Sequence, residues 1–158
     1  YMGYSMGVAP VISFNHGRAD HILLKRIFKI CVGFISVSSL VITALALISS
    51  PWIVEIFTPR STETYEIAKT GFFLFSINYI FAGINIFASS MFTAFSNGKV
   101  SAIISFVRTF GMIVVNILLL PKFIGVNGIW LAVPVAEFLT MFLSVYCFYK
   151  MRKTYHYF

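Results

Sequence analysis

Two charged residues stand in the middle of otherwise apolar stretches, and they are the side chains best suited to chemistry. Arg108 interrupts an apolar run over residues 100–120, and Glu137 interrupts a second run over residues 127–149. Even on lenient insertion scales, one charge at the centre of a bilayer costs about 2.5 to 3.5 kcal/mol. Each of these residues therefore needs a partner or a function.

The depths of the two charges predict that they pair. Arg108 lies nine residues after Lys99, which is about 13 to 14 Å along a helix, and Glu137 lies thirteen residues before Lys150, which is about 19 to 20 Å. If both lysines mark the same membrane surface, the depths differ by about 6 Å, or one helical turn. An arginine side chain can span much of that distance.

Two interpretations of this pair remain open. In the structural one the pair only holds two helices in register, since a buried ion pair is weak evidence for net stability. In the functional one Glu137 takes up and releases a proton during transport. Burial disfavours the ionised carboxylate whereas a nearby arginine favours it, so the sequence leaves the balance open. The substitution Glu137→Gln separates the two interpretations.

Further polar residues recur at helical spacing in these apolar runs. Thr140 and Ser144 continue the face of Glu137, and Asn116 shares a face with Arg108. In the stretch 70–98 the recurring small and polar residues are Gly71, Asn78, Ala82, Asn85, Ser89 and Ser96. Such a face packs against another helix or lines a water-filled cavity. The candidate residues of a substrate or ion pathway are Glu137, Arg108, Asn78, Asn85, Asn116, Thr140 and Ser144.

Pro134 is a candidate hinge. It lies three residues before Glu137 and deprives the carbonyl group of Trp130 of its usual helical donor. Within a membrane such a break is tolerated where neighbouring groups or water replace the bond. A proline beside a polar face is typical of a cavity wall, and the alternative is a proline that merely bends the helix.

The composition indicates an integral membrane protein. Hydrophobic residues make up 59% of the chain, charged residues only 11%, and the mean hydropathy is +0.89. Soluble domains carry about 25% charged residues. The net charge of +7 lies in short loops and in the tail, so we predict no nucleic-acid partner.

The apolar runs predict an all-α bundle with four full transmembrane helices and one partial one. The predicted spans are 30–54, 70–96, 100–120 and 127–149, and the partial span is 1–15, which rises only about 22 Å of the ~30 Å core. Apart from Arg108, eight lysines and arginines lie in alternate loops and the tail, and three lie in the other loops. The positive-inside rule therefore predicts a cytoplasmic C-terminus and cytoplasmic loops around residues 18–29 and 99.

No pattern of residues indicates an enzyme or a cofactor. The sequence has no nucleophile with a base, no paired carboxylates and no phosphate-binding glycine loop. The histidines are scattered without metal-ligand spacing, and Cys31 and Cys147 are interpreted as small hydrophobic residues. The expected partners are the lipid bilayer and a small transported solute.

Two blocks of residues resemble the multidrug and toxic compound extrusion (MATE) family, and the second resembles its bacterial multidrug branch. The first block is Gly7-Val8-Ala9-Pro10 with Asn15-His16-Gly17-Arg18-Ala19. The second is Arg108-Thr109-Phe110 with the stretch from Leu120-Pro121 through Gly128-Ile129-Trp130 and Pro134 to Glu137. The stretch 70–98, which would be the tenth helix, has no acid, whereas some family members place a sodium-binding carboxylate there.

The resemblance implies a twelve-helix exporter of two six-helix bundles that exchanges protons or sodium for small organic cations by alternating access. Residues 1–158 would then be about helices 8–12, and their partner would be the N-terminal bundle of the same transporter. The implied location is the inner membrane of a bacterium. Two alternatives are a flippase for lipid-linked oligosaccharide or peptidoglycan precursors, from the same superfamily, and a membrane scaffold subunit that transports nothing.

Overall fold

The computed structural model describes residues 1–158 as six helices without strands. The helices are α1 Met2–Gly17, α2 His21–Phe57, α3 Glu63–Ser76, α4 Tyr79–Ala94, α5 Gly98–Ile124 and α6 Asn127–Tyr155. Three of them, α2, α5 and α6, are long and apolar enough to cross a membrane, and α3 with α4 makes a fourth span if the bent pair is counted as one. The protein is therefore a multi-pass, all-α membrane protein.

The predicted span 70–96 falls on two helices, α3 and α4, rather than on one continuous helix. Helices α3 and α4 meet at a bend of 44°. At the break Ser76 donates its hydroxyl to the Phe72 carbonyl at 2.7 Å, and Asn78 donates its amide to the Phe75 carbonyl at 2.6 Å. Side chains that bond nearby backbone carbonyls compete with the helical ladder. The bend therefore lies where two polar side chains bond backbone carbonyls within an apolar run.

Helix α5 contains an irregular turn at Arg108. Residues Val107–Gly111 are π-helical, and the Met112 N–H group donates to the Val107 carbonyl, five residues back. A π-turn holds an additional residue and appears mostly as a single turn inside an α-helix, often at a functional site. It changes the face on which the residues around Arg108 lie relative to the rest of α5.

Helices α5 and α6 form a tight hairpin. Gly125 in the connection has φ +62° and ψ −146°, a positive-φ conformation that favours glycine. A Cβ atom on Gly128 would lie 2.5 Å from the carbonyl carbon of Leu120. This close approach joins the backbone of the last turn of α5 to that of the first turn of α6.

The bundle is organised around α4, which packs against α1, α2, α5 and α6. Its core near the end where Lys29, Lys99 and Lys150 lie, here called the basic end, is aromatic. Phe28, Phe87, Phe92, Phe95 and Phe148 are buried there.

The C-terminal tail folds back onto this aromatic core. His156 ends α6 in the left-handed conformation, with φ 53°. Tyr157 is buried and donates its hydroxyl to the Phe148 carbonyl at 2.9 Å, and Tyr155 stacks on Phe95 with ring centroids 4.4 Å apart. Burial raises the pKa of Tyr157, so the phenol remains a hydrogen-bond donor.

Candidate functional site: a buried ion pair among three helices

Glu137 of α6 is buried inside the bundle with a donor on each carboxylate oxygen. Nη1 of Arg108 lies 3.1 Å from Oε1, and Nδ2 of Asn85 lies 2.7 Å from Oε2. The side chains of Arg108 and Glu137 are 19% and 8% exposed. The pairing predicted from similar depths along the two helices is present, and the arginine side chain bridges the offset.

Asn85 of α4 joins this ion pair to the backbone of α6. Its Nδ2 atom also donates to the Glu137 carbonyl at 2.8 Å, and its Oδ1 atom accepts the hydroxyl proton of Ser144 at 2.8 Å. Asn85 and Ser144 are fully buried. Because an amide has two donor hydrogens and one acceptor oxygen, every polar group of Asn85 is used.

The network therefore ties three helices at one point. Arg108 comes from α5, Asn85 from α4, and Glu137 with Ser144 from α6. In a medium of low dielectric, satisfied polar groups of this kind hold a single arrangement, whereas removal of one member leaves another unpaired. A change of charge at Glu137 would thus be felt directly by both α4 and α5.

Three predicted pathway residues do not join the network. Asn78 bonds the Phe75 carbonyl, Asn116 bonds the Met112 carbonyl at 2.7 Å, and Thr140 bonds the Ala136 carbonyl at 2.7 Å. Each of these side chains donates to a backbone carbonyl three or four residues earlier in the chain. All three side chains are buried. Their place in a transport pathway stays a prediction.

Pro134 lies buried on α6, one turn before Glu137, and the helix continues through it from Asn127 to Tyr155. The proline thus weakens the ladder beside the ion pair without ending the helix. Its role as a hinge also stays a prediction.

A cluster of hydroxyl groups between α4 and α5 was not predicted as a site. Ser89 lies 2.7 Å from the hydroxyl of Ser105 and 2.9 Å from that of Ser101, and Thr93 lies 2.7 Å from Ser101. The signal in the sequence is a pair of hydroxyl residues four apart on each helix. Arg108 follows Ser105 by one helical turn.

The helices and the buried charges define a multi-pass membrane protein with an ion pair inside its helical bundle. The family model MatE matches residues 1–119. The chain therefore belongs to the MatE family, which makes it a MATE-type transporter protein and confirms the family resemblance. The match includes Asn85 and Arg108 but ends before Glu137. Neither a curated protein nor a solved structure is similar enough to the chain to give a match.

Proposed function

We propose that the protein is a secondary active antiporter that exports small organic cations in exchange for protons or sodium. Membership of the MatE family supports the transport class, and the buried Arg108–Glu137 pair held by Asn85 is the observation that supports coupled transport. Alternating access requires two units that move around a shared site. We therefore expect transport to need a partner bundle in addition to these helices.

The proposed orientation places the basic end in the cytoplasm of a bacterium, with the protein in the inner membrane. The charge asymmetry of the loops supports this orientation. Under it, Arg108 and Glu137 lie within the membrane and are reached from either side only through protein or water.

Glu137 is the proposed coupling group. As a carboxylate it attracts Arg108 and accepts from Asn85, so α4, α5 and α6 are held together. A proton on Oε1 removes the attraction to Arg108 and replaces the acceptor with an O–H donor. The bond that ties α5 to α6 at this depth then weakens, and an equilibrium between two arrangements of the helices can shift.

Pro134 is the proposed point at which α6 yields. Because a proline within a helix lacks one backbone hydrogen bond, it lowers the energetic cost of a bend next to Glu137. A change in the charge of Glu137 can therefore change how strongly α6 bends at Pro134.

Dye efflux tests this function. Cells or proteoliposomes that carry the full-length protein are loaded with a fluorescent organic cation, and efflux is measured with the proton and sodium gradients collapsed separately. The variants are Glu137→Gln, which keeps the shape and one acceptor oxygen, and Glu66→Gln, which removes an exposed acid outside the site. We expect gradient-dependent efflux in the wild type and in Glu66→Gln, and its loss in Glu137→Gln.

The other outcomes are equally informative. Unchanged efflux in Glu137→Gln would show that the ion pair only holds the helices in register. If the wild type exported no organic cation under any gradient, the antiport proposal would be wrong, and the flippase or the scaffold subunit would take its place.

A further inference from the structure

An apolar groove lies between α2 and α6 near the basic end of the bundle. Its volume is about 290 Å³, and every residue that lines it is hydrophobic. Helix α2 contributes Phe28 and Val32, and α6 contributes residues between Met141 and Tyr149. Ile84 comes from α4, the helix that packs against both of the others. This concavity is here called the α2–α6 groove.

The α2–α6 groove has the depth of the hydrocarbon in one membrane leaflet. Met141 is its lining residue farthest from the basic end on α6, and it lies eleven residues before Arg152, which is about 16 Å along the helix. Half of the hydrocarbon core of a bilayer is about 15 Å thick. An acyl chain whose headgroup lies at the basic end therefore has the length to follow the groove.

The lining of the groove suits an acyl chain rather than water. Phe28 and Phe148 are buried in its wall, whereas Val145 and Tyr149 are exposed at its rim. A cavity without polar partners stays dry, and this one opens toward the lipid. A methylene chain in the groove gains contacts on several sides, which is more than a flat helix surface offers.

Two cations lie at the mouth of the groove, one on each helix. Arg152 follows Phe148 by four residues, and Lys25 precedes Phe28 by three. Each cation therefore shares the helix face that lines the groove and lies one turn nearer to the basic end. The guanidinium carbon of Arg152 is 3.8 Å from the centroid of the Tyr149 ring, which is part of the lining.

Neither cation has an acidic partner. The ion pairs of the protein use Arg60, Lys69 and Arg108 instead. The one acid in the sequence near the basic end, Asp20, accepts the Leu23 N–H group as the cap of α2. A guanidinium stacked on an aromatic ring keeps its N–H donors in its own plane, and that geometry matches a phosphate. The mouth of the groove is thus complementary to an anionic headgroup.

We propose that the α2–α6 groove binds one anionic phospholipid, with an acyl chain along the groove and the phosphate on Arg152 and Lys25. The apolar lining binds the chain of any phospholipid. The two cations add the preference for an anionic headgroup. This lipid site is independent of the proposed antiport function.

Native mass spectrometry of the full-length protein tests the site. The protein in detergent is titrated with phosphatidylglycerol and, separately, with phosphatidylcholine that has the same acyl chains. The variant Lys25→Gln with Arg152→Gln removes both charges from the mouth. The matched control, Arg18→Gln with Lys99→Gln, removes two exposed charges from the same end of the bundle but from residues next to α1 and on α5, which do not line the groove.

We expect the wild type to bind one phosphatidylglycerol more tightly than phosphatidylcholine. The mouth variant should lose about thirtyfold in affinity for phosphatidylglycerol, the factor that two cations contribute to lipid attraction. The control should lose less than about threefold, because screening limits the effect of charges outside the site. Equal losses in both variants would indicate only a general attraction to a basic surface and would overturn the proposal. Equal affinity for the two lipids would overturn it as well.

The acyl chain is tested by a second pair of variants. Val145→Trp fills the groove, whereas Val115→Trp adds the same side chain to α5, and both valines are exposed. Val145→Trp should weaken the binding of both lipids about tenfold, the effect of about two buried methylene groups, and Val115→Trp should leave it unchanged. Equal binding by these two variants would refute the groove as the site. A wild type that binds no phosphatidylglycerol would show that protein covers the groove in the full-length transporter, and the proposal would be wrong.

Discussion

Removal of Arg108 should reveal how strongly the buried pair depends on both of its members. The substitution Arg108→Met keeps much of the length of the side chain and leaves the Glu137 carboxylate with Asn85 as its only side-chain donor. Breaking a buried pair by removing one partner costs about 3 to 5 kcal/mol, whereas exposed pairs contribute about 0 to 1 kcal/mol. Because the two side chains are only 19% and 8% exposed, we expect a loss of about 3 kcal/mol.

The double variant distinguishes a coupled pair from two independent residues. Arg108→Met with Glu137→Gln leaves no uncompensated charge, and the new amide oxygen on α6 can still accept from Asn85. We expect most of the loss to be recovered, to within about 1 kcal/mol of the wild type, because replacement of both partners by neutral groups is often nearly neutral.

The assay is reversible unfolding in mixed detergent and lipid micelles, followed by helical circular dichroism. Arg60→Met is the control, since Arg60 forms an ion pair with Glu55 at 2.7 Å but both side chains are exposed; it should change the unfolding midpoint little. A double variant whose loss equals the sum of the two single losses would refute the reasoning, as would an Arg108→Met variant as stable as the control.

Three further predictions concern the packing that supports the site. Gly128→Ala places a Cβ atom 2.5 Å from the Leu120 carbonyl carbon, so it should cost about 1 to 3 kcal/mol in the same unfolding assay; Gly33→Ala, with nothing within 4 Å, should be neutral or stabilising. Tyr157→Phe removes the bond to the Phe148 carbonyl and should cost about 1 kcal/mol, and an unchanged midpoint would show that this hydrogen bond adds nothing. Since burial raises the pKa of Tyr157, the tail's contribution should be complete at neutral pH and fall as pH rises past about 10, the ordinary tyrosine value, as followed by tyrosinate absorbance.

The ion pair could be predicted from the sequence because a charge in an apolar run has a calculable depth. The depth of each residue, Arg108 and Glu137, is counted from a lysine at the same membrane surface, and the helical rise per residue is nearly constant. Asn85 was singled out by its spacing alone. Its bonds to both the carboxylate and the backbone carbonyl of Glu137 depend on how α4 packs against α6, which no single helix specifies.

Two features of the backbone had no signal in the sequence. The break between α3 and α4 falls within an uncharged run without proline, at a point where Ser76 and Asn78 bond backbone carbonyls. The π-helical turn at Val107–Gly111 likewise has no residue pattern of its own. Neither feature is marked by a proline in the sequence.

The packing of the C-terminal tail is a third feature that the sequence analysis did not address. The tail carries basic residues, but Tyr155 and Tyr157 anchor it on the aromatic core around Phe28 and Phe95. Aromatic side chains bury large areas. The burial of these two therefore favours a tail packed on the bundle, despite the polar residues beside them.

Proton release on substrate binding tests most directly whether Glu137 carries the proton exchanged for substrate. Purified full-length protein in weakly buffered, sodium-free detergent solution is titrated with a fluorescent organic cation while a pH indicator records protons released. We expect the wild type to release protons as it binds the cation and Glu137→Gln to bind the cation without releasing protons. Equal proton release by both proteins would contradict the proposed role of Glu137.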